Sequence, residues 1–97
     1  MAKLICHSSV SRWENEQVSK YPEIKIFVDK LKNMICKKPE SGRLDPCLSI
    51  AGRSIPYSRL SVNISLFPYK YAIGYNYITA YYIYNENTIY IAKMAFS

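Results

Sequence analysis

Histidine is almost absent from this 97-residue chain, and His7 is the only one. A Ser-His-Asp or Cys-His device would have to be built around that single residue. Its place at the end of an edge strand suits a surface or capping role better. Glycine is scarce as well. Gly42, Gly52 and Gly74 stand apart, so there is no glycine-rich loop to cradle a nucleotide's phosphates. The three cysteines, Cys6, Cys36 and Cys47, show no C-x-x-C spacing and no histidine cluster. That argues against a disulfide framework or a Cys/His zinc site and predicts reduced, mostly buried thiols. No apolar run approaches the roughly 20 residues that span a bilayer. The stretch Met1–His7 has neither a long apolar core nor a small-residue cleavage site, so it does not read as a signal peptide. The expectation is a cytoplasmic protein with no membrane partner, no metal and no cofactor.

Acid is the other shortage, and it is unevenly distributed. Residues 1–48 hold nine Lys/Arg against six Asp/Glu, whereas residues 49–97 set Arg53, Arg59, Lys70 and Lys93 against Glu86 alone. The overall charge of +6 favours a polyanion or an acidic protein as partner. Paired carboxylates for acid–base work are improbable in a half with one acid.

What is abundant is tyrosine. Ten are present, mostly within Pro56–Phe96, where Tyr69–Tyr84 is nearly all β-branched or aromatic and fits a half-buried pleated surface. Asn85-Glu86-Asn87-Thr88 interrupts the run and Ile89–Phe96 resumes it, which predicts an antiparallel hairpin at the centre of a sheet. Before it, Tyr57–Leu66 alternates cleanly. Leu60, Val62, Ile64 and Leu66 should face a helical layer, with Arg59, Ser61, Asn63 and Ser65 on the other side. Lys3–Cys6 reads as a short edge strand. A first helix follows, with Ser11 and Glu14 at capping-box spacing. A second helix begins after Tyr21-Pro22-Glu23, with Ile24, Phe27, Val28, Leu31 and Ile35 on one face, and ends before Pro39. The sum is one domain over residues 1–97 in an α+β class. Its N-terminal helical hairpin packs on a mostly antiparallel sheet of about four strands, in the order β-α-α-loop-β-β-β.

On that sheet the cations Arg53, Arg59, Lys70 and Lys93 are placed to meet phosphates, and rings such as Tyr71 to stack on bases. Solubilising charge and core packing account for part of the same composition, because alternation sends about half of the tyrosines inward.

The helical hairpin ending in Lys37-Lys38-Pro39-Glu40-Ser41-Gly42 and the strand Tyr57-Ser58-Arg59-Leu60-Ser61-Val62 are joined by Tyr71-Ala72-Ile73 and the hairpin Tyr82–Lys93. Together these resemble the RelE/ParE superfamily of toxins from type II toxin–antitoxin systems. The resemblance implies a small basic toxin held by an acidic antitoxin. It would act as an endoribonuclease on ribosome-bound messenger RNA or, in the ParE branch, as an inhibitor of DNA gyrase. It also admits a catalytically inactive cationic binding module. Carried over by position, the resemblance makes Arg59, Lys70 and Lys93 the catalytic candidates. The nucleic-acid contacts expected from the sheet face itself are Arg53, Arg59, Lys70 and Tyr71. Where active ribonucleases of the family carry a titratable residue near the end, this chain reads Ala95-Phe96-Ser97. Tyr90 with Lys93 would have to substitute, and on a regular strand those two positions point to opposite faces.

Overall fold

The computed structural model describes residues 3–45, 49–50, 53–54, 57–66 and 73–97. The fold is α+β, with two helices on a mixed, open sheet. Strand β1 (Lys3–Cys6) leads into helix α1 (Ser8–Lys20) and helix α2 (Ile24–Lys37). A 3-10 turn over Pro39–Ser41 then precedes β2 (Arg43–Asp45), β3 (Ser49–Ile50), β4 (Arg53–Ser54), β5 (Tyr57–Asn63), β6 (Tyr77–Tyr84) and β7 (Thr88–Phe96).

The main sheet runs β1-β7-β6-β5-β2, while β3 and β4 form a separate two-stranded ribbon. The expected four strands are therefore corrected to five. The addition is β2, which pairs antiparallel with β5 at the edge. Three residues after Gly42 are too few to show an alternating pattern, so local sequence carries no signal for it. All pairs in the main sheet are antiparallel except β1 with β7, where Lys3 lies beside Thr88 and Cys6 beside Ile91. The C-terminal hairpin does occupy the centre. Its turn is held by Asn85, whose Oδ1 accepts from the backbone N–H groups of Asn87 at 3.0 Å and Thr88 at 2.9 Å.

Helix α2 buries Ile24, Val28, Leu31 and Ile35, the stripe expected from three- and four-residue spacing. These residues pack with Val62, Ile64, Ile78, Ala80, Tyr82, Ile89, Ile91 and Met94 in one cluster. Helix α1 contributes Val10 to the same core, and both helices lie on one face of the sheet. Its start lies earlier than the capping-box spacing suggested. His7 is the N-cap, and its Nδ1 accepts from the Ser9 N–H at 3.1 Å, so the lone histidine has a structural task.

Two helix-side expectations fail for related reasons. Leu66 is 93% exposed, because β5 ends at Asn63 and residues 65–66 turn away, although the alternation runs on in sequence. The tyrosine run is also interrupted: residues 73–76 form no strand, and Tyr69–Ala72 lie outside the described residues. Gly74 has φ +80°, a left-handed conformation suited to glycine, and β6 begins only at Tyr77. Of the thiols, Cys6 is half-buried and Cys36 exposed, and Cys47 lies outside the described residues. Burial pushes the Cys6 thiol pKa up, which suits a packing role rather than a nucleophile.

The two helices are tied by Lys32, whose Nζ donates to Glu14 Oε1 at 2.6 Å with both side chains largely buried. Burial alone would lower the ammonium pKa. The hydrogen bond and charge of Glu14 outweigh it, and the Lys32 pKa stands above its ordinary 10.5. A raised lysine pKa adds stability that is fully present below 10.5 and is lost as pH rises through the folded value. Glu14→Gln is expected to cost about 1 kcal/mol near neutrality. The gap from the native chain should close in urea unfolding above pH 10.5. A gap that persists unchanged into that range would rule out the ion pair as its source.

Candidate nucleic-acid interface

With both helices on one face, strand alternation decides what the other face presents. On β5 and β6 the helix side takes Ser58, Leu60 and Val62, opposite Tyr82, Ala80 and Ile78. The open side takes Arg59, Ser61 and Asn63, opposite Tyr81, Thr79 and Tyr77. On β2, Arg43 lies directly opposite Arg59.

Strand β7 departs from simple alternation at one point. Tyr81 pairs with Lys93 but Tyr82 pairs with Ile91, which leaves Ala92 as the extra residue of a bulge. Ile91 and Met94 both face the core as a result, and Tyr90 and Lys93 fall on the same, open face. The regular-strand objection to a Tyr90–Lys93 partnership is thereby removed.

The outcome is a transverse row across four strands, Arg43–Arg59–Tyr81–Lys93. Three strand spacings of ~4.8 Å give it a length of about 14 Å. Arg43, Arg59 and Lys93 are exposed. Lys93 Nζ stands 5.8 Å from the centre of the Tyr81 ring, a cation–π contact that holds the ammonium over the sheet. One position along, Ser61 Oγ and Thr79 Oγ1 lie 2.7 Å apart, and Thr79 Oγ1 and Ser97 Oγ 2.6 Å apart. This chain of hydroxyls satisfies Thr79, which is only 4% exposed. Beside it a hollow of about 650 Å³ is lined by Ser41, Arg43, Arg59, Leu60, Ser61 and Tyr77.

Of the sequence-predicted site residues, Arg59 and Lys93 come together in this row. Lys70 and Tyr71 lie outside the described residues. Arg53 belongs to the separate β3–β4 ribbon rather than the main sheet, and its side chain also lies outside them. Arg43 and Tyr81 belong to the row and were missed. Nothing local marks β2 as a strand, and the adjacent pair Tyr81-Tyr82 hides which ring faces out. Tyr81 could have been found from its even spacing with Tyr77 and Thr79, against the apolar set Ile78 and Ala80.

Phe96 is on the helix side. Its ring meets Trp13 edge-on at 5.1 Å and stacks on Tyr75 at 6.1 Å. The open-face residue at that end of β7 is Ala95, opposite Thr79. A titratable residue at position 96 would thus point away from the cations.

Tyr82 is the tyrosine whose environment is most altered. Burial raises its phenol pKa despite a backbone hydrogen bond with Gly42, and its hydroxyl donates to the Pro39 carbonyl at 2.6 Å. It is fixed in the core as a neutral donor and is no candidate base. No group of three His, Cys, Asp or Glu placed to hold a metal occurs among the described residues. No helix among them is long and apolar enough to cross a membrane. Comparison with family models, with curated proteins and with solved structures found no match for this chain.

Proposed function

We propose that the chain is the toxin of a type II toxin–antitoxin pair, with a RelE-like fold, acting in the cytoplasm on ribosome-bound messenger RNA through the open face of its sheet. The observation that carries this reading is the row Arg43–Arg59–Tyr81–Lys93 on the face that the helices leave uncovered. Fixed guanidinium and ammonium groups stabilise charge developing on a phosphate attacked by its neighbouring 2′-hydroxyl. The proton is moved by Lys93 or by the hydroxyl of Tyr81 or Tyr90, all on the open face. Lys70 is a further cation of the same reading. The antitoxin would be an acidic segment that covers these charges.

A second reading, a ParE-like inhibitor of DNA gyrase that works by protein contact, is favoured by Phe96. That ring is committed to Trp13 and Tyr75, so the strand end offers the open face no acid or base. A cationic binding module without catalysis shares this support. Induced expression in a bacterial host, with growth followed and messenger RNA mapped for new ends, separates them. Arrest with cuts in translated regions is the expected result. Arrest without cuts transfers the assignment to gyrase, and normal growth leaves the binding module.

A further inference from the structure

We propose that the chain pairs with a second copy of itself through the outer edge of β1, so that one sheet runs unbroken through both copies. The inference does not rest on the toxin reading and concerns how many chains present the open face.

The backbone defines the edge. Strand β1 ends the main sheet, and among the described residues only β7 pairs with it. The N–H groups of Lys3 and His7 donate to the Asn87 and Ile91 carbonyls at 2.8 and 2.9 Å, so the odd-numbered residues bond inward. Strand geometry then turns the N–H and C=O groups of Leu4 and Cys6 outward. Such an edge is a template for another strand. An antiparallel copy uses every one of these outward groups in a single register. Leu4 of each copy stands opposite Cys6 of the other and exchanges both hydrogen bonds with it, while the two Ile5 residues meet on the two-fold axis.

The side chains suit that register. Leu4 and Cys6 pack against the core on the helix side, and a second copy prolongs that core across the axis. On the open side Ile5, 39% exposed, lies beside Tyr90, and Tyr90 beside Ile83, which is 38% exposed. This apolar row breaks off at the edge, and the same row of a second copy continues it. A second copy also closes both edges at once, whereas an unrelated strand leaves a fresh edge behind it. The helices do not obstruct the pairing, because they lie over β5, β6 and β7. Three strand spacings, about 14 Å, separate β7 from its counterpart, and helices touch only at about 8–10 Å.

The test is sedimentation equilibrium of the full chain from roughly 10 μM to 1 mM, the weak range expected of so small an interface. Dimers should form within it, and a chain that stays monomeric throughout overturns the proposal. Ile5→Lys sets two ammonium groups face to face on the axis and should weaken association at least about tenfold. Ile83→Lys, on the same face but two strands from the edge, should change it less than about threefold. Equal losses in the two variants would mean that the open faces pack together instead of the edges. Amide hydrogen exchange reads the backbone directly. The Leu4 and Cys6 amides should slow about tenfold between dilute and concentrated solution, while that of Ile5, already bonded to β7, should not change. Unslowed Leu4 and Cys6 amides in a dimeric sample refute the edge. Each chain carries +6, and Lys3 of one copy falls opposite His7 of the other, so added salt should tighten the dimer by screening. A dimer that salt dissolves is bridged by a polyanion, which overturns the direct pairing.

Discussion

Reversing Arg43 and Lys93 to glutamate should abolish growth arrest and leave the fold as stable as before. Each cation lost from a phosphate-binding surface lowers affinity and reduces the salt slope by about one, and a carboxylate in its place adds repulsion. Two reversals in a row only about 14 Å long leave little for a polyanion to hold. Stability should move the other way or not at all. Arg43→Glu sets an acid opposite Arg59 where two like charges now stand, a change of roughly 0.2–1 kcal/mol in favour of the fold. Lys93→Glu gives up the contact with the Tyr81 ring, worth about 0.5–1 kcal/mol at an exposed site. The sum is near zero. Urea unfolding and a plate assay on the double variant check both halves. A folded double variant that still arrests growth would remove this row from the mechanism.

The largest stability effect should come from Tyr82. It has 0% exposure at the centre of the sheet, and its hydroxyl reaches across to the Pro39 carbonyl. Tyr82→Ala removes a full ring from the core, at about 3–5 kcal/mol. A domain of this size holds roughly 5–15 kcal/mol in all, so the variant should be close to unfolded, with a melting temperature lower by roughly 15–30 °C. Tyr82→Phe keeps the ring and forfeits one hydrogen bond, about 1 kcal/mol. Gly42 provides a cross-check. A Cβ there would fall on the Tyr82 hydroxyl and 3.0 Å from the Arg59 carbonyl. Gly42→Ala should therefore be more damaging beside Tyr82 than beside Phe at that position, a coupling that thermal melts of the four chains would resolve. Strict additivity would mean that the hydroxyl is not what excludes the methyl group.

How far this was legible in sequence depends on how local each determinant is. The face of α2 and the Asn85 turn are written in spacings of a few residues, and both came out as read. The end of β5 was not, because Leu66 continues an alternation that the backbone abandons. Nor was the bulge. Ala92 is an ordinary strand residue, and only the pairing of both flanks with β6 shows it to be supernumerary. That one residue decided whether Tyr90 and Lys93 could work together, so the site depended on tertiary register more than the fold did. Arg59 was legible because clean alternation surrounds it. Arg43 was not, because its strand is defined by its partner β5 rather than by its own three residues.

The parallel pairing of β1 with β7 also has a temporal consequence. Lys3 must meet Thr88, 85 residues further on, so β1 has no partner until β7 has been made. During synthesis the two helices emerge early, with Ile24, Val28, Leu31 and Ile35 uncovered until the sheet arrives beneath them. Closing so long a loop is slow compared with forming a helix. The domain should therefore remain a half-built, sticky intermediate until β7 has been made and acquire its cationic face only then.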